Sequence, residues 1–88
     1  MKIHNFMEVA VEKLLPSLLK SYPKVCTCDR CMSDIKAIAL NNLKPKYVST
    51  EKGELYSKVD GMSNQFEVDI EKEIVKAIEI VKENPRHE

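Results

Sequence analysis

The sequence has few of the residues on which sheet-rich folds depend. Its 88 residues include two Gly, two Phe and no Trp, and aromatic residues make up only 6%. Sheet proteins use glycine in tight turns and aromatic or β-branched side chains in strands, so this composition favours helices. Long apolar runs are also missing. The longest has four residues, far short of the roughly 20 needed to span a bilayer.

Net charge is absent as well, because 14 Lys and Arg balance 14 Asp and Glu. The sequence therefore gives no electrostatic reason to expect binding to DNA, RNA or a membrane surface. The N-terminus leads into an acidic, amphipathic stretch and lacks the apolar core of a secretory signal. We expect a single domain over 1–88, located in the cytoplasm.

Three stretches carry apolar residues at the helical spacing of three and four. The first runs from about Asn5 to Lys20, with a kink expected at Pro16. The others run from an Asp29 cap to about residue 43, and from a cap at residue 63 or 64 to about residue 84. Residues 54–60 are a candidate fourth helix, and 47–50 have the β-branched and aromatic character of a short strand. The predicted fold is all-α, a compact bundle of three or four helices with one short extended segment.

Cysteine is scarce but concentrated: Cys26, Cys28 and Cys31 are the only three. An odd number at such close spacing is a poor disulfide framework. The C-x-x-C spacing is that of zinc knuckles, in which a turn or helix start brings two sulfurs onto one ion. We predict a structural zinc site here, between the first two long helices. Two alternatives are buried thiols in a small core and a redox pair, although no βαβ pattern surrounds the cluster.

Three cysteines leave a structural zinc site one ligand short. The only histidines are His4 and His87, each just outside a long helix, and spacing alone does not choose between them. Pro85 ends the last helix and frees the tail to turn back, whereas His4 must hold the start of its helix. We therefore predict His87 as the fourth ligand. The alternative is that His87 is a solvated tail residue.

The last predicted helix carries an apolar stripe that is wider than one packing partner needs. Its residues are Phe66, Ile70, Ile74, Ala77, Ile78 and Val81, with Val68 and Val75 to one side. A chain this short cannot easily cover such a surface, and an exposed apolar patch marks an interface. The stripe predicts a homodimer.

The order of motifs resembles that of the bacterial late competence development protein ComFB family. These motifs are Asn5-Phe6-Met7-Glu8, the cysteine cluster, Asp34-Ile35-x-Ala37-x-Ala39-Leu40-Asn41, Pro45-x-Tyr47-Val48 and the closing Asn84-Pro85-Arg86-His87. The resemblance covers essentially the whole chain and is most specific from residue 26 to residue 50. Lys44 departs from it, because many relatives look like Leu-Pro-Pro there. His87 stands where some members carry Cys, so the resemblance there is of place and not of residue type.

The resemblance implies a helical, zinc-binding homodimer without catalytic activity, linked to competence or motility control. Some members resemble receptors for cyclic dinucleotides such as cyclic di-GMP. The residues agree with the absence of catalysis: no P-loop, Ser-His-Asp order or paired catalytic carboxylates stand out. A zinc ion with four protein ligands would also leave no position open for water.

The end of the second helix and the segment after it offer candidate residues for binding a cyclic dinucleotide, cyclic di-GMP or cyclic di-AMP. They are Asp34, Asn41, Lys46, Tyr47 and Thr50. Lys46 offers a charge for a phosphate, Tyr47 a face for a base, and Thr50 a hydroxyl for a phosphate oxygen. The alternative is that Asp34 and Asn41 bond neighbouring backbone and Tyr47 is half-buried core. A further alternative is that the protein is an adaptor that binds another protein, with zinc purely for stability and no nucleotide ligand.

Overall fold

The structure, a computed structural model, describes residues 3–51, 54–55, 58–59 and 61–85. Strand β1 (His4–Asn5) leads directly into helix α1 (Phe6–Leu19), and helix α2 (Asp29–Asn41) follows the cysteine segment. Strand β2 (Tyr47–Val48) and helix α3 (Asn64–Glu83) complete the numbered elements. The all-α class, the three long helices and the position of the cysteines between the first two are confirmed.

Helix α1 begins where Asn5 caps it, with the Oδ1 atom accepting the N–H of Met7 at 3.1 Å. The helix continues through Pro16 to Leu19, because proline loses a hydrogen bond in the helix interior but need not end the helix. Its inner face is buried along most of its length, through Phe6, Met7, Val9, Ala10, Val11, Leu14 and Leu15.

Helix α2 is capped one residue earlier than predicted, by Cys28 and not by Asp29. Asp29 is the first helical residue, where its negative charge suits the positive end of the helix dipole. The helix buries Cys31, Ile35 and Ala39.

Helix α3 is capped by Ser63, whose hydroxyl accepts the N–H of Phe66 at 3.3 Å. It packs against both α1 and α2, and α1 also contacts α2. Most of the predicted apolar stripe is used in this packing, since the buried residues of α3 are Ile70, Ile74, Ala77, Ile78 and Val81. Of the rest of the predicted stripe, Phe66 and Val75 are half-buried and Val68 is 42% exposed. Ile80, which was not part of the prediction, is 49% exposed.

The extended segment is paired, which the sequence did not indicate. Strands β1 and β2 are antiparallel, with His4 opposite Val48 and Asn5 opposite Tyr47. The Oδ1 atom of Asn5 also accepts the N–H of Lys46 at 2.9 Å. A two-residue strand shows no period, so β1 could not be recognised from the sequence.

The structure describes only part of the candidate fourth helix. Glu54, Leu55, Lys58 and Val59 have helical backbone, and Leu55 and Val59 are buried. The other residues of that prediction lie outside the described part of the chain. Within the described part, no helix combines the length and the apolar character that crossing a bilayer requires.

Candidate metal centre and neighbouring cavities

The three cysteine sulfurs lie together. The Sγ atoms of Cys26, Cys28 and Cys31 are all within 4.8 Å of one another. In a tetrahedral site with Zn–S bonds of about 2.3 Å, neighbouring sulfurs are about 3.8 Å apart. Thiolates are also the soft ligands that zinc accepts most readily. The cluster is therefore close enough, and of the right chemistry, to hold one metal ion.

The turn after α1 and the start of α2 bring the sulfurs together. The N–H of Val25 donates to the carbonyl of Tyr22 at 3.1 Å, and the Val25 side chain is buried in the core. On the other side, Cys31 is fully buried on the inner face of α2. Cys26 is half-buried and Cys28 is exposed. The buried side chains of Val25 and Cys31 thus fix the cluster on its two sides, and the exposed Cys28 leaves it accessible to a further ligand.

The backbone around Cys28 suits a negatively charged sulfur. Its Sγ atom accepts the N–H of Cys31 at 3.5 Å, in the first turn of α2. An N–H directed at sulfur and the positive end of a helix both favour a thiolate over a thiol. Because the thiolate is the form that binds metal, the position of Cys28 at the start of α2 favours its use as a metal ligand.

Of the two candidate histidines, the structure describes only His4. His4 precedes α1, and the cysteines follow its other end; 14 helical residues span about 21 Å at 1.5 Å per residue. His87 lies outside the described residues. The end of α3 is nevertheless close to the segment before the cluster, because Lys82 lines one cavity together with residues 21–25. The end of α3 therefore lies beside the chain that leads to Cys26.

Three of the five candidate ligand-binding residues line separate cavities, and the other two line none of these. Lys46 lines a cavity of 350 Å³ against α3, and Tyr47, which is 64% exposed, lines another of 190 Å³ against α1. Asp34 borders an open depression at the start of α2. Asn41, at the end of α2, is exposed, and Thr50 is half-buried; neither lines these three cavities. Lys46 and Tyr47 are thus neighbours in the chain that reach different spaces.

Two functional candidates escaped sequence reasoning, namely the aromatic rings of Phe6 and Phe66. Their centroids are 6.4 Å apart and their planes differ by 14°. The ammonium group of Lys46 lies over both, at 5.7 Å from the Phe6 centroid and 5.5 Å from the Phe66 centroid. Each phenylalanine resembles an ordinary core residue of its own helix. No local pattern indicates that residues 60 positions apart form one surface.

Comparison with known proteins agrees with this description. The sequence model of the family described as Late competence development protein ComFB matches residues 4–85. The chain belongs to the ComFB family. A relative, Competence protein ComFB of Bacillus subtilis (strain 168), is 27% identical over 81 residues, which are 92% of this chain and 83% of the relative.

A solved structure shows the same ComFB fold. It comes from the structural characterization of the late competence protein ComFB from Bacillus subtilis, and it superposes with a TM-score of 0.82 at 22% identity. The superposition covers 97% of this chain and 96% of that one. The resemblance seen in the sequence motifs is therefore confirmed for the family and for the fold.

Proposed function

We propose that this ComFB-family chain is a small, non-catalytic regulatory protein that carries a structural zinc ion and acts by binding. The observation that supports this most directly is the cluster of three sulfurs within 4.8 Å. Cys26, Cys28 and Cys31 would supply three ligands. With a fourth protein ligand the ion has no position open for water, so its role is structural.

His87 is the proposed fourth ligand. The support is the closeness of Lys82, at the end of α3, to residues 21–25, which leaves five residues to reach the cluster. His4 is separated from the cluster by the length of α1. A zinc ion bound in this way would link the start of α2 to the end of α3, which are far apart in the sequence.

Elemental analysis of protein purified without added metal tests this proposal. We expect about one zinc per chain, as a structural site requires. Replacement of Cys31 with Ser should abolish it, and His87→Ala should weaken zinc retention against a chelator. The matched control, His4→Ala, should retain zinc as the unmodified chain does. Zinc below a tenth of an equivalent would refute the site, and loss with His4→Ala but not with His87→Ala would move the fourth ligand.

The regulatory ligand that we propose is a cyclic dinucleotide, cyclic di-GMP or cyclic di-AMP. The support is the sequence resemblance, together with the exposed aromatic ring of Tyr47 and the positive charge of Lys46, which precedes Tyr47 in the chain but lines the neighbouring cavity. Aromatic faces stack bases and ammonium groups bind phosphates. Thr50, Asn41 and Asp34 stay predicted contacts, although Asp34 borders a separate depression and the other two line neither cavity, so the proposal rests mainly on Tyr47. A two-fold-symmetric nucleotide would suit a homodimer.

Calorimetry with both cyclic dinucleotides separates a receptor from an adaptor. We expect one of them to bind, and Tyr47→Ala to weaken binding by about tenfold, the effect of about 1–3 kcal/mol that removal of one base stack has. Tyr47→Phe keeps the aromatic face and serves as the matched control. No heat of binding from either nucleotide at about 100 micromolar, the weak end of useful affinity, would leave the adaptor for another protein as the function. Binding that is unchanged in Tyr47→Ala would place the ligand elsewhere.

A further inference from the structure

The cavity that Lys46 lines combines apolar walls with positive charge. Its volume is 350 Å³, at the small end of the range of about 300–1,000 Å³ that ligand sites occupy. Five of its eight described lining residues are apolar, namely Phe6, Val48, Leu55, Met62 and Phe66. The polar lining comes from Lys46, Lys58 and Ser63. None of the described residues that line it is acidic.

The ammonium group of Lys46 is positioned before any ligand arrives. The backbone of Lys46 is held on both sides, since its N–H donates to Asn5 and its carbonyl accepts the N–H of Phe6 at 2.6 Å. The side chain then lies over the rings of Phe6 and Phe66. Cation–π attraction holds an ammonium group against a ring face and satisfies it only in part. It remains available to an anion at the edge of an apolar space.

We propose that this cavity binds a small organic anion with a flat apolar body, of the class of aromatic carboxylates. The carboxylate would pair with Lys46 and Lys58. The hydroxyl of Ser63 already accepts the N–H of Phe66, so its own hydrogen is available for donation to the anion. The apolar body would lie against the phenylalanine rings. The site shares Lys46 with the proposed nucleotide contact but not Tyr47, which lines the other cavity.

Calorimetry with 2-naphthoate provides the first test. We expect one naphthoate per chain, with a Kd of about 0.1 mM, as a ligand of this size commonly attains. 2-Naphthalenemethanol has the same rings without the charge, and acetate has the charge without the rings. Each should bind at least about tenfold more weakly, because each lacks one half of the recognition. No heat from naphthoate at 1 mM would overturn the proposal.

Variants then assign the binding to this cavity. Lys46→Met and Lys58→Met keep the carbon chain and remove the charge, and each should weaken naphthoate by about tenfold while binding of the alcohol is unchanged. Lys72→Met, on the exposed side of α3, is the matched control and should have no effect. Naphthoate binding that survives both cavity variants would overturn the proposal.

The result does not depend on the proposed nucleotide function. Tyr47→Ala should leave naphthoate binding intact, because Tyr47 does not line this cavity. If a cyclic dinucleotide binds and naphthoate does not, the anion proposal alone fails. If naphthoate binds and neither nucleotide does, the receptor proposal alone fails.

Discussion

Asn5 connects two distant parts of the chain with a single side-chain oxygen. The Oδ1 atom accepts the N–H of Met7 at 3.1 Å, which starts α1, and the N–H of Lys46 at 2.9 Å, across 41 residues. It therefore orders the first helix and also the segment that carries Lys46 and Tyr47. One residue sets the position of both cavities at this end of the molecule.

Replacement of Asn5 with Ala should lower the free energy of unfolding by about 1–2 kcal/mol, because it removes a helix cap and the hydrogen bond from the backbone N–H of Lys46 together. Asn5→Asp retains the accepting oxygen and should recover most of the loss. Urea denaturation measures the difference. The control is Asn42→Ala, which removes an exposed hydrogen bond to the Ile38 carbonyl and should cost less than about 0.5 kcal/mol. Equal losses at Asn5 and Asn42 would contradict this role.

The cysteine cluster predicts a pH dependence of the bound metal. Zinc binds thiolates, so each thiol that becomes a ligand releases its proton on binding. Protons therefore compete with zinc, and affinity should fall as the pH falls. We expect affinity at least about tenfold weaker at pH 6.0 than at pH 7.5, measured by competition with a chelator whose own pH dependence is known. Affinity independent of pH would exclude thiolate ligation.

Helix α3 divides its apolar side chains between the core and the solvent. Ile74 is fully buried, in the middle of the packing against α1 and α2, whereas Ile80 is 49% exposed. The two isoleucines belong to one helix and have the same chemistry. Their difference in burial therefore decides how much each contributes to stability.

Truncation of Ile74 to Ala should lower the free energy of unfolding by about 2–5 kcal/mol, since it removes buried carbon atoms and leaves a cavity. Ile80→Ala, the matched control on the same helix, should change it by less than about 1 kcal/mol when the protein is dilute enough to be monomeric, because the side chain is exposed there. Urea denaturation of both variants tests the assignment. A comparable loss for the two in the monomer would contradict the exposure of Ile80, whereas a larger loss for Ile80→Ala at concentrations where the chain is dimeric would support an interface on this side of α3.

In the whole molecule, the apolar residues outside the core are the ones available for contact with a second copy of the chain. Val68 and Ile80 are exposed on α3, and Ile3 and Tyr47 are exposed at the sheet, 68% and 64% respectively. A chain of this size buries only about 60% of its unfolded surface, so association is a common way to cover more. We retain the proposal of a homodimer, with the outer side of α3 as its interface.

Light scattering at micromolar concentration should give about twice the chain mass of 10.1 kDa. The double variant Val68→Glu with Ile80→Glu should be monomeric, because burial of two carboxylates at an apolar interface is unfavourable. Lys72→Glu, an exposed residue of the same helix, provides a control for added negative charge. A monomeric unmodified chain would refute the dimer, and a dimeric double variant would place its interface elsewhere.

The features predictable from the sequence are those whose causes are local. The three helices follow from apolar spacing and from caps such as Ser63, and the cysteine cluster follows from three residues within six positions. The fourth ligand depends on where a tail lies in space, so the sequence offers two candidate histidines and no local rule that selects one of them.

Features that join distant segments were decided only by the tertiary structure. The pairing of β1 with β2, the contact of Lys46 with the rings of Phe6 and Phe66, and the burial of most of the α3 stripe are of this kind. Such contacts link residues that are about 20 to 60 positions apart, and neither partner shows its role in its own neighbourhood. Helical period and capping result from interactions within a few residues, whereas packing depends on which surfaces meet when the chain closes on itself.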